Sequence, residues 1–201
     1  MAIILSILIC SLKSRKNTFD ELMAILSPQI TNEVEVLVDI DEGEKIVGQK
    51  RQDLLDKSIG EYVCFIDDDD LISEDYVALI LKALESKPDC CSIKGEWIDQ
   101  FPIRQKWRPQ HKVRYMIWGK DYVWNVSKDT YFIGANHITP IKSEIAKKCG
   151  FPIISNGEDQ EYGKRVRRLI KTETKVDSVI YKYRCDRRHK AIMNALKRHK
   201  K

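Results

Sequence analysis

Chain-breaking residues are scarce in this sequence, with nine Gly and six Pro among 201 residues. No low-complexity segment or internal repeat appears, so the chain reads as neither disordered nor fibrous. The six cysteines, Cys10, Cys64, Cys90, Cys91, Cys149 and Cys185, contain no CxxC pair. Cys10 and Cys64 sit inside apolar, strand-like runs, which predicts reduced cytosolic thiols and no disulfide framework. No apolar run approaches the roughly 20 residues needed to cross a bilayer. The apolar stretch over residues 1–11 lacks a preceding positive charge, while Lys13, Arg15 and Lys16 follow it, the reverse of a secretory signal. It is expected to be a buried first strand of a cytoplasmic protein. Also missing are Gly-x-Gly-x-x-Gly after a strand, a Walker phosphate loop, His-Glu-x-x-His and a Gly-x-Ser-x-Gly elbow. Dehydrogenase, ATPase, zinc-protease and α/β-hydrolase chemistry thereby lose their usual support.

What is present suffices for a buried core in one domain: 43% hydrophobic and 32% charged residues. The net charge of +5 is unevenly spread. Residues 182–201 hold nine Lys/Arg against Asp186 alone, which leaves 26 basic and 29 acidic groups in the other 181 residues. Basicity belongs to the tail, and no aromatic stacking pattern accompanies it, so specific nucleic-acid recognition is not expected. Ala191, Ile192, Ala195 and Leu196, beside Lys197, Arg198, Lys200 and Lys201, can form a short basic amphipathic helix for peripheral contact with an anionic membrane.

Residues 3–10 form a nearly continuous apolar run, as expected of a strand covered on both faces. Helical spacing follows over 18–26, with Pro28 as its stop. A second strand over 34–38 leads into Asp39-Ile40-Asp41, and a helix over 47–58 leads to Gly60 as a C-terminal stop. The third strand, 62–66, ends in Asp67-Asp68-Asp69-Asp70, and a helix over 74–84 has Ser73 as its cap. Strand and helix alternate over the first ninety or so residues, predicting an α/β, doubly wound and mostly parallel sheet flanked by helices. Ligands of such sheets bind at the carboxyl ends of the strands, where both acidic clusters lie. Further on, strands are expected over 91–98, 131–138 and 176–184, with helices over 143–148 and 157–170. Residues 103–128 read as loop with short strands.

Four carboxylates at the end of a buried strand repel one another, and a divalent cation resolves the conflict. Mg²⁺ or Mn²⁺ takes one or two carboxylates and completes its shell with phosphate oxygens and water, which suits an Asp-x-Asp group to a nucleoside diphosphate. A solvated acidic turn before a helix is the plain structural alternative. The second acidic cluster, Asn156-Gly157-Glu158-Asp159-Gln160-Glu161-Tyr162-Gly163-Lys164-Arg165, opens a helix. Ser155 to Glu158 is also a capping-box pattern, and Glu161 with Arg165 forms an i,i+4 pair.

The segment Gly60-Glu61-Tyr62-Val63-Cys64-Phe65-Ile66-Asp67-Asp68-Asp69-Asp70, with the strand Leu5-Ser6-Ile7-Leu8-Ile9-Cys10-Ser11, resembles glycosyltransferase family 2 enzymes of the GT-A fold. The resemblance covers most of residues 3–170, is strong over 45–76 and is weak over 99–130. It implies a single GT-A-like domain over 1–201, with a Rossmann-like nucleotide-sugar half (1–98), an acceptor half (99–181) and a basic tail (182–201). It implies a donor of UDP, GDP or dTDP type, a carbohydrate acceptor, and Mn²⁺ or Mg²⁺ as cofactor. By resemblance Ser11, Asp39 or Asp41, Lys50 and Arg51 contact the donor nucleotide. Asp69 and Asp67 hold the metal, while Asp67 or Asp68 lies nearer the ribose. Asp159 is the general base of an inverting transfer, with Glu158 beside it. His137 and Trp124 are candidates for sugar or acceptor contact. A sugar-phosphate nucleotidyltransferase is the enzymatic rival, although Ser11-Leu12-Lys13-Ser14-Arg15 lacks the glycines of its triphosphate loop. A membrane or nucleic-acid module built on the tail is the non-enzymatic rival.

Overall fold

The structure, a computed structural model, describes residues 2–99, 114–122 and 125–185. Trp124 and the predicted tail helix lie outside the described residues.

The strands are β1 (Leu5–Leu12), β2 (Val34–Asp41), β3 (Tyr62–Phe65), β4 (Leu71–Ile72), β5 (Cys90–Asp99), β6 (Tyr115–Gly119), β7 (Asn125–Ser127), β8 (Thr130–Gly134), β9 (Ile141–Lys142) and β10 (Glu173–Cys185). The helices are α1 (Lys16–Leu26), α2 (Val47–Lys57), α3 (Tyr76–Leu84), α4 (Ser143–Cys149) and α5 (Glu158–Arg167). They build one mixed sheet in the order β2-β1-β3-β9-β5-β6-β8-β7, with β10 alongside β5 and β4 on β10. The longer ladders are parallel: β1 with β2 from Leu5↔Val34 to Leu12↔Asp41, and β5 with β10 from Cys90↔Glu173 to Asp99↔Cys185. The antiparallel contacts of β9 and β4 are two residues long or shorter.

The first strand shows why its sequence is apolar throughout. Leu5, Ile7 and Ile9 enter a core with Leu22, Leu26, Tyr76 and Ile80 from α1 and α3. Leu8 enters a second core with Leu55, Phe65, Phe151, Tyr162 and Val166 on the other face. Successive residues of a strand point to opposite faces, so helices on both sides demand apolar residues at every position. β3 repeats this, with Tyr62 and Cys64 in the first core and Val63 and Phe65 in the second. Each fully buried Leu, Ile or Phe contributes about 1.5–3 kcal/mol.

Local stop and cap signals fare less well. Helix α2 ends at an extended Ser58, and Gly60 does not serve as its left-handed stop. Gly60 instead crosses β1 so closely that a Cβ would lie 2.7 Å from the Ser6 backbone nitrogen. Ser73 does not cap α3: Asp75 occupies the cap position without a side-chain bond, and the buried Ser73 Oγ has no partner. Helix α5 starts after Gly157 at φ 84°, so Ser155 and Glu158 form no capping box. Glu161 pairs with Lys164 at i,i+3, while Arg165 donates to the Cys149 carbonyl at 3.1 Å. The strand expected over 131–138 stops at Gly134, because Asn136 turns the chain by accepting the Thr139 and Ile138 N–H groups. Cys10, Cys64, Cys90, Cys91 and Cys149 carry free thiols. Among the described residues no helix is long and apolar enough to cross a membrane.

Candidate active site

Buried strand β3 delivers the chain through Ile66 to Asp67, where the Asp70 N–H donates to the Asp67 carbonyl at 3.1 Å and turns the backbone. The four carboxylates then go to four different surroundings. Asp67 Oδ1 accepts from Arg51 Nη2 at 2.9 Å, and its Oδ2 lies 3.3 Å from His137 Nε2. Burial pushes the Asp67 carboxyl up, but His137, Arg51 and Arg15 outweigh it and hold it below the usual carboxylate range. Asp68 is buried, accepting from Ser11 Oγ at 2.7 Å and from Arg15 Nη1 at 2.7 Å. Asp70 is also buried, and accepts from Tyr181 Oη at 2.8 Å and the Arg184 N–H at 2.7 Å. Burial and the neighbouring Asp67 raise the Asp70 carboxyl well above the ordinary range. Asp69 differs: its side chain is 47% exposed, with Arg15 Nη1 3.4 Å from Oδ2. Burial of its inner part and the charge of Asp67 push it up to about 6.

Asp67, Asp68 and Asp69 line a cleft of about 280 Å³ with Arg15, Arg51 and Arg184. The cleft lies at the carboxyl ends of β1 and β3, as the doubly wound topology requires. Cys10 also lines it, but burial pushes that thiol up to about 12, so it is not a nucleophile near neutrality.

Arg51 is 7% exposed on its side chain; besides Asp67, it donates from Nη1 to Glu158 Oε1 at 3.0 Å. Its guanidinium carbon lies 5.7 Å from the Phe65 ring centre and 6.0 Å from that of Phe151. Lys50 is buried, bonded to Asp41 and, at 2.6 Å, to the Ser11 carbonyl. Asp41 additionally accepts the N–H groups of Gly43 at 3.0 Å and Lys45 at 2.9 Å, closing the loop after β2. Asp39 is held by Lys45 at 3.0 Å. Ser11 and Lys50 therefore build the floor of the site. His137 is likewise 5% exposed and packs behind Asp67, not on an open sugar-facing wall.

Asp159, half-buried in the first turn of α5, lines a separate cavity of about 90 Å³ with Gly134, Asn136 and Arg167. The structure thus joins Lys50, Ser11, Asp68 and, through Arg15, Asp69 in one polar group, joins His137, Asp67 and, through Arg51, Glu158 in another, and sets the two side by side with Asp159 nearby. Arg15, Tyr181 and Arg184 were not anticipated. No local pattern marks them, because each reaches the aspartates through chain reversal after β1 or through β10.

Among the described residues no group of three His, Cys, Asp or Glu is arranged as a metal cage. The donor set instead fits a hard cation shared with phosphate oxygens and water. Asp69 offers a half-exposed carboxylate for such an ion, whereas the oxygens of Asp67 already meet Arg51 and His137 and those of Asp68 accept from Ser11 and Arg15.

No protein-family model and no curated protein matches the chain by sequence. Solved structures match it by shape. S. aureus TarS 1-349 is 16% identical over 90% of this chain, with a TM-score of 0.65. Its complex with UDP-GlcNAc gives 14% over 92% and 0.63. A mannosyltransferase, PcManGT from Pyrobaculum calidifontis, in complex with GDP-Man and Mn²⁺, gives 12% over 90% and 0.57. The chain spans 60%, 59% and 57% of the lengths of these three. In architecture, then, the chain has the α/β fold of the GT-A glycosyltransferases.

Proposed function

We propose that the protein is a family 2-type glycosyltransferase that moves a sugar from a nucleoside-diphosphate donor to an acceptor hydroxyl. One observation carries this reading: three carboxylates and three arginines converge on a cleft at the carboxyl ends of β1 and β3. That combination of a cation-binding carboxylate with positive side chains suits a diphosphate.

In this reading Asp69 is the direct ligand of Mn²⁺ or Mg²⁺, with Asp67 beside it and donor phosphates completing the shell. The cation, when bound, stabilises charge on the departing diphosphate. Arg15, 45% exposed at the cleft mouth and paired there with Asp68 and Asp69, also turns toward the donor phosphate. Arg51 orients Asp67, and Glu158 orients Arg51. Asp39 takes the nucleoside, because the oxygens of Asp41 are engaged by the following loop and Lys50. Asp159 removes the acceptor proton as the hydroxyl attacks the anomeric carbon with inversion.

The donor class is a sugar nucleotide of UDP, GDP or dTDP type. Thermal unfolding with UDP-GlcNAc, GDP-Man and a dTDP-sugar, each with Mn²⁺ or with EDTA, tests the reading. At 100 times Kd a bound donor stabilises by about 2.7 kcal/mol, and EDTA is expected to remove the shift. No shift with any of the three, or pyrophosphate release from nucleoside triphosphate and sugar 1-phosphate, would overturn the assignment.

A further inference from the structure

The cavity that Asp159 lines also holds a guanidinium that makes no ion pair among the described residues. Arg167 lies half-buried at its wall, and burial lowers its pKa. Its Nη1 donates at 3.2 Å to a neutral acceptor, the Ala135 carbonyl. Arg15 and Arg51, by contrast, each sit against two carboxylates. Among the described residues Arg167 has no ion pair.

The surroundings leave room for this side chain. A Cβ on Gly134 would lie 2.7 Å from Arg167 Cδ and Nη1, and 2.7 Å from the Tyr122 carbonyl oxygen. One on Gly163 would lie 2.9 Å from Arg167 Nη1 and 3.0 Å from the Ala135 carbonyl oxygen. Gly134 must be glycine for its close approach to the Tyr122 backbone, and a side chain at Gly163 would push the guanidinium from its place. Asn136, whose Oδ1 accepts the Ile138 N–H, lines the same cavity. Lys164 adds a second positive charge at the rim, tempered by Glu161. A volume of about 90 Å³ fits one small polar group, given that liquid water takes about 30 Å³ per molecule.

A partly desolvated cation without an ion pair is costly unless a ligand completes it. We propose that this cavity binds an anionic group, phosphate or carboxylate, carried by the acceptor next to the hydroxyl that Asp159 deprotonates. The inference rests on the glycosyltransferase reading and specifies its acceptor class. Arg167 and Asn136 grip the anion, and Asp159 faces the neighbouring hydroxyl. An anion placed this way also anchors the acceptor against the carboxylate of Asp159, which alone would repel it.

The test separates the two levels. Intact protein is first saturated with Mn²⁺ and whichever of UDP, GDP or dTDP stabilises it; failure of all three counts against the donor site. Saturation-transfer NMR on the loaded protein then compares glucose, glucose 6-phosphate and glucuronate. The anionic probes are expected to bind at least about tenfold more tightly than glucose, as charge-assisted hydrogen bonds imply. Glucose 6-phosphate ahead of glucuronate would assign phosphate as the natural group, and the reverse order a carboxylate. Arg167→Gln is expected to erase the difference while nucleotide binding persists, and Arg167→Lys to retain part of it. Equal binding of all three probes, or of none, by the wild-type protein overturns the proposal even if Arg167→Gln does not fold. So does an undiminished preference in a folded Arg167→Gln.

Discussion

Arg51 Nη1 and Glu158 Oε1 meet at 3.0 Å across 107 residues of chain. The same guanidinium reaches Asp67, so one buried cation fastens α2 to the end of β3 and to the first turn of α5. Through it the cleft carboxylates and the helix bearing Asp159 share one support.

Arg51→Met is therefore expected to destabilise the protein by about 3–5 kcal/mol, because Asp67 and Glu158 are left with unbalanced charge. Urea denaturation measures this, and the double variant Arg51→Met/Glu158→Gln should lose less than the two single changes combined. A loss below about 1 kcal/mol in Arg51→Met would reduce the network to a surface-type pair.

Neighbouring aspartates should separate binding from stability. Asp69→Ala is expected to abolish Mn²⁺-dependent donor binding with an unchanged or slightly raised Tm, since its carboxyl is pushed up by burial and by Asp67. Asp70→Ala removes the acceptor of the Tyr181 hydroxyl and the Arg184 N–H, and should cost about 1–3 kcal/mol per group left unsatisfied. Calorimetric titration and thermal melts on both variants decide it; a swap of the two phenotypes would reverse the assignment.

Asp159→Asn keeps the size and hydrogen-bonding reach of the side chain but cannot take a proton. Donor affinity should stay within about twofold while transfer falls by at least the 10²–10⁴ typical of a general base. Wild-type turnover in this variant would remove the base from Asp159.

Asp89 supplies a pH-dependent clamp away from the site. It accepts the N–H groups of Lys171 at 2.8 Å and Thr172 at 3.0 Å, joining the start of β5 to the start of β10. Burial raises its carboxyl, but those two N–H groups and Lys142 outweigh it, so the folded pKa is lowered. The stabilisation is therefore present above the unfolded value of about 3.9 and lost as pH falls through the lower folded value. Asp89→Asn should cost about 1–2 kcal/mol at pH 7, and chemical denaturation should show the gap to wild type closing below pH ~4. A gap independent of pH would mean that the charge contributes nothing.

The elements were legible where local chemistry dominates. The apolar runs of β1 and β3 announced strands covered on both faces, and helix α2 was placed within a residue of its end. The caps were not, because Ser73, Ser155 and Gly60 carry the right residue types while neighbouring segments dictate the backbone. Gly60 is glycine for its approach to Ser6, a contact 54 residues away in sequence. Lys50 and Arg51 illustrate the same limit within the site. Their positive charge beside the Asp-x-Asp group was visible, but not that both are buried on carboxylates of the protein itself.

By itself the sequence determined the alternation of strands and helices and the placing of four aspartates at a strand's end, since both follow from side-chain periodicity and the burial it demands. Only the tertiary structure decided what each aspartate does. Arg51, His137, Ser11, Arg15, Tyr181 and Arg184 arrive from 16 to 114 residues away. Whether a carboxylate is paired, buried or left facing the cleft depends on which of these partners folding brings within hydrogen-bond reach, and no local period records that.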